Sequence, residues 1–420
     1  MGFVKQNWIE SMERGWNEPD TFVCESCIED EFLSKVVGEK ATSEYCSYCD
    51  NRIEGAMVAA LADVMPSIAG AMFNYFGEPG EAGLPRDSGA WVMEDRITDT
   101  YEALLTLGLS VDEELMDDIC NSFTNDAWVP AVDGSWLGEH EHEVLSYSWS
   151  NFTESAKHIS RYFIFQKKQE KDNDVTYRPT YTPKQVLNRI GEIIVELSLW
   201  KELPANTTFY RVRKKEGDYD LSKFTDIGPP PRNLATAGRM NPAGISYGYF
   251  SNNETTAILE MNDTTPSTYV VGKFELREPM IVVDLTDLPP LPSIFENDKS
   301  SKLNALIFLK SFVEALSTPV TKDGREHIDY VPSQIVSEFF AQVLLIDDDK
   351  KIDATIYPSS IDKGHTNLVI FPKHNINGQD DWEKMLELKD STEVEIIDQR
   401  ALEELINRKK GLTGKTKKLV

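Results

Sequence analysis

The stretch from Gly238 to Glu260, GRMNPAGISYGYFSNNETTAILE, decides how the second half of the chain folds. It reads as a bend, a short aromatic strand and the start of a helix. Ser251, followed three residues later by Glu254, is a capping-box pattern, which predicts that the helix begins just after the strand. Glu260 then lies beside an apolar helix face. A carboxylate there needs a partner unless it simply faces solvent, and taken alone a surface glutamate is the commoner outcome.

The segments around this stretch alternate between strand and helix patterns. Runs rich in Val, Ile, Tyr and Phe predict strands, and apolar residues at three- and four-residue spacing predict helices. The predicted strands are TFYRVR, TYVVGKFEL, MIVVDL, IDATIYP and NLVIF, and the predicted helices are SSKLNALIFLKSFVEAL and PSQIVSEFFAQVLL. With an amphipathic helix that opens at Pro183, they predict an α+β domain over residues 183–380.

The rest of the chain divides by composition. Residues 56–166 carry helical periodicity and predict a mostly helical domain. Residues 167–182, KKQEKDNDVTYRPTYT, are polar and poor in aliphatic side chains, so we interpret them as a linker. Residues 381–420 are expected to form a C-terminal helix and a basic tail.

Four of the five cysteines follow a metal-site pattern. Cys24, Cys27, Cys46 and Cys49 are arranged as CxxC, 18 residues, CxxC, which is typical of a four-thiolate zinc site. A pair of redox CxxC motifs is the alternative, but neither motif has a strand-to-helix context. We therefore predict that residues 1–55 form a small module around a closed, structural Zn²⁺.

The net charge of −27 restricts the classes of partner. So acidic a surface repels phosphate backbones, which argues against sequence-independent binding of nucleic acid. The most apolar stretch, AMVAALADVMPSIAGAMFNYF, is interrupted by Asp63 and Pro66, so we expect no membrane span. The first residues lack the apolar core of a signal peptide. We therefore expect a cytoplasmic protein.

The central stretch and its surroundings resemble the RES domain family, which is named after an Arg, a Glu and a Ser. The family pattern begins with a strand bearing Tyr-Arg, here FYRVR with Arg211. It continues with Gly-Arg-aromatic-Asn-Pro-x-Gly, here GRMNPAG with Arg239 and Asn241, and then places Tyr249 eleven residues before Glu260. The resemblance spans about residues 209–374. This sequence departs from the family pattern in two places. Met240 replaces the usual aromatic residue, and the helical stretch before the closing serine is longer.

The closing serine has more than one candidate. Ser359, in YPSSIDKGHTNLVIF, is followed eight residues later by Asn367 and an apolar run, as in the family pattern. Ser360 is adjacent to it, and Ser333 in YVPSQIVSEFF is the other candidate. We expect Ser359 to be the functional serine.

The resemblance implies an ADP-ribosyltransferase-like fold that binds NAD⁺ as substrate and cleaves its nicotinamide–ribose bond. Arg211 and Arg239 would hold the pyrophosphate, since a guanidinium binds phosphate oxygens bidentately. Glu260 would stabilise the positive charge that develops on the ribose. Tyr249 would stack on a ring of NAD⁺, and Ser359 would hydrogen-bond the substrate. The implied catalytic set is Arg211, Arg239, Tyr249, Glu260 and Ser359, and the implied NAD⁺-binding set adds Asn241, Ser360 and Asn367.

The helical half resembles the HEPN-related domain that precedes some RES domains. It lacks the Arg and His at about five-residue spacing that ribonuclease HEPN domains use, so RNA cleavage is not expected.

The RES resemblance does not determine which group accepts the ADP-ribosyl group. Water, phosphate or a protein side chain as acceptor would make the chain a glycohydrolase, a phosphorylase or an ADP-ribosyltransferase, respectively. A toxin or anti-phage effector restrained by its N-terminal half, with an antitoxin, a phage trigger or a second copy as partner, is the biological hypothesis. A catalytically silent RES-fold scaffold is the rival.

Overall fold

The computed structural model describes residues 3–49, 57–166, 179–215, 221–261, 267–318, 324–347, 349–374 and 378–396. The chain divides into two compact units. The first unit comprises residues 1–144 and 290–307, and the second comprises residues 145–289 and 308–420. None of the helices in these ranges is long and apolar enough to cross a bilayer.

The first unit is mostly helical in its described residues. Its helices are α1 (Phe3–Arg14), α2 (Glu31–Lys40), α3 (Leu61–Tyr75), α4 (Thr100–Thr106) and α5 (Glu113–Ser122), and α6 (Glu141–His158) begins in it. Its strands are short: β1 (Phe22–Cys24), β2 (Val58–Ala60), β3 (Phe76–Gly77), β4 (Arg86–Asp87), β5 (Ala90–Trp91), β6 (Thr98–Asp99) and β7 (Ala127–Pro130).

One core unites the cysteine segment with the helices that follow it. Cys24 and Cys27 are buried in the same hydrophobic cluster as Leu33 of α2, Ile68 of α3 and Trp128 of β7. The Pro in α3 lies in its second turn, and the helix is buried along most of its length because its sequence is apolar on nearly every side. The cysteine segment therefore packs as part of the first unit.

The second unit is built on a large mixed sheet. Its further helices are α7 (Pro183–Glu196), α8 (Phe224–Ile227), α9 (Glu254–Met261), α10 (Ser300–Ser317, which begins in the first unit), α11 (Glu326–Asp329), α12 (Val331–Gln342) and α13 (Trp382–Met385). Its strands are β8 (Trp200–Leu203), β9 (Thr208–Lys214), β10 (Gly248–Ser251), β11 (Ser267–Leu276), β12 (Met280–Asp284), β13 (Leu345–Ile346), β14 (Lys350–Lys351), β15 (Ala354–Pro358), β16 (Thr366–Ile370) and β17 (Leu386–Ile396). Helices and strands together confirm the predicted α+β class.

The main sheet opens between two of its central strands. Its eight strands follow the order β17-β11-β9-β10-β16-β15-β12-β8, and β12 and β15 run parallel. Strand β9 pairs with β11 from Thr208 to Lys214. By contrast, β9 pairs with β10 only where Tyr210 faces Ser251. Since paired strands normally stay about 4.8 Å apart, this short pairing means that β9 and β10 diverge.

The two faces of β9 belong to different clusters. Val212 packs with Ala257 and Ile258 of α9, whereas Phe209 packs with Phe274 on the other face. This alternation follows from the two-residue period of a strand. It fixes α9, and with it Glu260, on the Val212 face.

The C-terminal prediction needs correction. Residues 386–396 form β17, which pairs with β11, so a helix is wrong over that range. Only one helical turn, α13, precedes it. Residues 397–420, including the predicted basic tail, lie outside the described residues, as do residues 167–178 of the predicted linker. Thr182, at the linker's predicted end, is the N-cap of α7 in a capping box with Gln185.

Candidate active site

A small cavity lies where β9 and β10 separate. Tyr357, Asn367, Ser251 and Tyr210 are side by side on β15, β16, β10 and β9, because each is the register partner of the next. Laterally paired residues point to the same face of a sheet, so all four face the same side. They line a cavity of about 90 Å³. Arg211, Tyr249 and Glu260 also line it.

Glu260 is held by two neutral donors. Its Oε1 accepts hydrogen bonds from Ser359 Oγ at 2.8 Å and from Asn367 Nδ2 at 2.7 Å. Its Oε2 accepts none from the part of the chain that the structure describes. Asn367 Oδ1 in turn accepts from Ser251 Oγ at 2.7 Å, and Ser359 Oγ accepts from the backbone N–H of Asp362 at 3.1 Å. The carboxylate is thus oriented through one oxygen, with the other left for a ligand.

The start of α9 differs from the predicted capping box. Asn253 caps the helix, because its Oδ1 accepts from the backbone N–H groups of Thr255 at 2.8 Å and Thr256 at 3.4 Å. Ser251 remains in strand β10 and donates to Asn367 instead. The Ser251–Glu254 box is therefore wrong, although the predicted helix start is off by only a residue or two. The lateral hydrogen bond within the sheet outcompetes the local cap.

Arg211 reaches the cavity from the other face of the sheet. It donates through Nε to Ile227 O and through Nη1 to Tyr249 O, both at 3.0 Å. Its neighbour Arg213 donates to Gly228 O at 2.9 Å. Burial, with the nearby charge of Arg213, lowers the pKa of Arg211 to about 9, so it remains a cation at neutral pH. Within the described residues it has no carboxylate partner, which leaves a positive charge at the opening between β9 and β10.

Arg239 does not line the Glu260 cavity in this structure. Its Nη1 donates to the backbone oxygens of Leu316 and Thr318, both at 2.7 Å, so it caps the C-terminal end of α10. Burial raises the pKa of the Tyr357 hydroxyl, and the charges of Arg239 and Glu260 act on it with opposite sign. Arg239 is therefore within electrostatic reach of the cavity, but its guanidinium is bound elsewhere.

Asn241 organises the loop that carries Arg239. Its Nδ2 donates to backbone oxygens within the loop at 2.8–3.0 Å, and its Oδ1 accepts from the Tyr249 hydroxyl at 2.7 Å. The Tyr249 hydroxyl also accepts from the backbone N–H of Met240 at 2.9 Å. A Cβ at Gly238 would lie 2.7 Å from both Asn241 Oδ1 and the Tyr249 hydroxyl, so only glycine fits there. The buried Asn241 amide is thus used within the loop.

Helix α12 supports the same loop, which sequence reasoning missed. Ser333 Oγ donates to the backbone oxygen of Arg239, and Gln334 Nε2 donates to those of Gly238 at 2.8 Å and Asn241 at 3.0 Å. Ser333 therefore supports the Arg239 loop, whereas Ser359 hydrogen-bonds Glu260. Ser360 is exposed. A Ser-Gln pair at the start of an apolar helix was the available signal, because most buried polar side chains have hydrogen-bond partners.

Tyr357 and Arg213 were also missed. Tyr357 is buried on the strand that leads to Ser359, two residues before it. Arg213 lies two residues after Arg211, which places both on one face of β9. Its Nε is buried without a hydrogen-bond partner in the described structure. Both residues could have been found from the two-residue period of their strands.

Cavity size differs widely across the second unit. The Glu260 cavity of about 90 Å³ is smaller than the roughly 300–1,000 Å³ of a site that encloses a drug-sized ligand. A second cavity, of about 140 Å³, is lined by Arg239 and Tyr330. A third, of about 800 Å³, is lined by other residues and contains neither Arg211 nor Glu260. Size alone favours this third cavity, whereas the convergence of a carboxylate and a cation favours the Glu260 cavity for chemistry.

The four predicted cysteines converge in the first unit. Cys24 Sγ lies 3.6 Å from the sulfurs of Cys27 and Cys49, and Cys27 Sγ lies 3.7 Å from that of Cys46. None of the four forms a disulfide. A tetrahedral Zn²⁺ with Zn–S distances of about 2.3 Å separates its sulfurs by about 3.8 Å. The thiol set therefore fits a metal ion and could hold one.

Comparison with known protein families assigns both halves of the chain. Residues 39–170 match the HEPN/RES N-terminal domain 1, and residues 208–383 match the RES domain. No curated protein matches the chain. The second match contains the Glu260 cavity and the residues that hold it. The chain thus carries a HEPN/RES N-terminal domain followed by a RES domain, a family with NAD-related enzymatic activity.

Proposed function

We propose that the chain consumes NAD⁺ by cleaving its nicotinamide–ribose bond at Glu260. The observation that carries the proposal is the Glu260 carboxylate, fixed through Oε1 by Ser359 and Asn367 in a cavity that it shares with the Arg211 cation. No salt bridge of 4.0 Å or less joins Glu260 to Arg211. A fixed anion and an uncompensated cation suit a substrate that is anionic at one end and becomes cationic at the other.

Glu260 would act on the bond that breaks. When the ribose C1′–N bond breaks, nicotinamide leaves with the bonding electrons and positive charge spreads over C1′ and the ring oxygen. Glu260 Oε2 is the free oxygen that can face this charge or hold a ribose hydroxyl. Because the carboxylate is oriented before substrate arrives, its stabilisation costs little reorganisation in the transition state. An acceptor oxygen then bonds to C1′. A water acceptor loses its proton to solvent, whereas an anionic phosphate oxygen has none to lose.

The arginines would bind the pyrophosphate. Arg211 supplies positive charge at the opening between β9 and β10. Arg239 does not line the Glu260 cavity, so to bind phosphate there its guanidinium would leave the Leu316 and Thr318 carbonyls. Tyr249, which lines the Glu260 cavity, would stack on a ring of the dinucleotide. Ser360 is exposed and is the weakest of the proposed contacts.

The acceptor is proposed to be water or phosphate. Because an enzyme that destroys NAD⁺ harms the cell that makes it, we propose that the chain is a toxin or anti-phage effector restrained by its N-terminal domain. We further infer that the four thiols hold a structural Zn²⁺, because four thiolates leave no coordination position for a substrate.

The direct test follows nicotinamide release from NAD⁺ by the purified full chain. Glu260→Gln should lower the rate at least a hundredfold, and Glu254→Gln on the same helix is the matched control, expected to stay within about twofold of wild type. Chromatography of the other product distinguishes ADP-ribose, its 1″-phosphate and modified protein. Equal rates for the wild type and Glu260→Gln would refute the assignment. It would also be refuted if calorimetry detected no NAD⁺ binding by any of the three proteins.

A further inference from the structure

The cavity of about 800 Å³ lies apart from the site proposed for catalysis. It is bounded by α7, α12 and the loop that connects Arg239 to β10. One face of α12 forms a wall, since Ile335, Glu338, Phe339 and Gln342 recur at three- and four-residue spacing. Most of the remaining wall is apolar. The size is that of a site for a drug-sized molecule.

The guanidinium of Arg232, which lines this cavity, is already neutralised. Arg232 donates to Asp380 Oδ1 through Nε at 3.0 Å and Nη2 at 2.7 Å. His374 Nδ1 lies 2.8 Å from Arg232 Nη2 and 3.0 Å from Asp380 Oδ1. These three side chains therefore satisfy one another. A phosphate would have to break this cluster to gain a guanidinium, so a dinucleotide is not favoured here.

Glu338, in contrast, has no partner among the described residues. It forms neither a hydrogen bond nor a salt bridge there, and the exposed Lys184 does not pair with it although both line the cavity. Burial raises the pKa of Glu338. Its charge also adds to the effect of burial in raising the pKa of Tyr247, which lines the same cavity. A half-buried carboxylate against an apolar wall is costly until a cation or donor reaches it.

We propose that this cavity binds a small organic cation whose aromatic or aliphatic body packs on α12 and whose amine pairs with Glu338. Volume, apolar walls and a single unpaired carboxylate together define this class of ligand. The cavity also shares its walls with the Arg239 loop. Ile245, whose backbone oxygen accepts from Asn241, lines the cavity, and α12 carries Ser333, which holds Arg239. A ligand here would therefore contact the elements that support the Arg239 loop without occupying the Glu260 cavity.

The test is a fluorescence titration of the full chain with monodansylcadaverine, a fluorophore that bears one primary amine, at about 150 mM salt to screen the acidic surface. Saturable one-to-one binding is expected. Glu338→Gln should weaken the affinity for the probe about tenfold or more. The N-acetylated, uncharged probe should bind the wild type more weakly by a similar factor. Ile335→Trp, which fills the cavity, should abolish binding. Glu202→Gln, on the exposed part of β8, is the charge-matched control and should stay within about twofold of wild type.

The outcomes separate the alternatives. Equal affinity of the wild type and Glu338→Gln would overturn the proposal, as would equal affinity of the charged and acetylated probes. An absence of saturable binding below millimolar concentration would also overturn it. Displacement of the probe by NAD⁺ would identify the cavity as a dinucleotide site and contradict the separation from the Glu260 cavity.

Discussion

The side-chain amide of Asn367 donates to Glu260 Oε1 at 2.7 Å, although the two residues are 107 positions apart in the chain. The register of the sheet creates this contact, since Asn367 lies on β16 between Tyr357 and Ser251. Its own carbonyl accepts from Ser251, which fixes the amide group so that its nitrogen faces Glu260. Asn367 thus orients the carboxylate that we propose acts on NAD⁺.

Asn367→Asp should therefore impair turnover. It replaces a donor by a carboxylate directly against Glu260, and two carboxylates at this distance repel each other. We expect nicotinamide release to fall about tenfold to a hundredfold and the midpoint of thermal unfolding to fall at neutral pH. The matched control is Asn252→Asp, because Asn252 is exposed and its carbonyl oxygen, which accepts from Thr366, is retained. Equal activity of the two variants would remove Asn367 from the site.

The serine assignment has a separate test. Ser359→Ala deletes the donor to Glu260 and the acceptor for the Asp362 N–H, so activity should fall about tenfold, equivalent to about 1.4 kcal/mol. Ser360→Ala removes only an exposed hydroxyl and should act like wild type within about twofold. Steady-state nicotinamide release by the two variants decides between the neighbouring serines. The reverse order of activities would make Ser360 the functional residue.

Arg239 should contribute to stability even without a substrate. Its guanidinium satisfies two carbonyls at the end of α10, so Arg239→Ala should destabilise the protein by about 1–2 kcal/mol. Lys310→Ala, which removes an exposed cation from the same helix, should have almost no effect. Denaturant unfolding of the three proteins measures this difference. An Arg239→Ala protein as stable as wild type would show that the cap does not stabilise the helix in solution.

The burial of Glu338 should make the stability of the folded protein depend on pH. Burial raises its pKa in the folded state, so the folded protein keeps the proton to higher pH than the unfolded chain does. The stability gained from this proton is fully present at pH values below the pKa of glutamate in the unfolded chain. It is lost as pH rises through the raised pKa of the folded state. Glu338→Gln should therefore raise the thermal midpoint at pH 7 and change it less near pH 4. The groups that face the same cavity, Lys184, Arg232, Tyr247, His374 and Asp380, are unchanged in both proteins.

Thermal scans from pH 4 to pH 8 provide the measurement, with Glu202→Gln as the exposed control. A change in thermal midpoint on Glu338→Gln that is largest at low pH would contradict this prediction. An effect equal to that of the control at every pH would show that the carboxylate is well solvated.

Metal removal should destabilise the first unit. Cys24 and Cys27 lie in its core, so loss of a Zn²⁺ that crosslinks them to Cys46 and Cys49 would loosen that core. We expect about one equivalent of zinc in the reduced protein, less than half an equivalent in Cys49→Ser, and a lower thermal midpoint after chelation. Cys120→Ser, outside the cluster, should retain the metal. Wild-type protein with less than half an equivalent would contradict a zinc site.

The resemblance to the RES domain led us to expect Glu260, Ser359 and Asn367 in one site, and the structure brings these three side chains together. The resemblance did not predict what Arg239 binds. The carbonyls of Leu316 and Thr318 lie 77 and 79 residues later in the chain, and a backbone oxygen leaves no signal in a sequence. The support from Ser333 was missed for a similar reason, since its acceptor is also a backbone oxygen.

Local patterns were wrong where sheet pairing competes with them. Residues 386–396, LELKDSTEVEI, include three glutamates and one lysine, which favour helices, yet they pair along the length of β11. Ser251 has the right spacing for a helix cap, but the partner strand supplies Asn367 as its acceptor. In residues 386–396 the long-range contact outweighs a helix preference worth a fraction of a kcal/mol per residue. At Ser251 it outweighs a helix cap worth about 1 kcal/mol.

A structure of the Glu260→Gln full chain with NAD⁺ tests the central claim most directly, because the variant should bind the substrate without consuming it. We predict that the nicotinamide ribose lies between β9 and β10 with its C1′ next to residue 260, and that Arg239 has left the end of α10 for the pyrophosphate. NAD⁺ found in the 800 Å³ cavity beside Glu338, with Arg239 still on Leu316 and Thr318, would contradict the account.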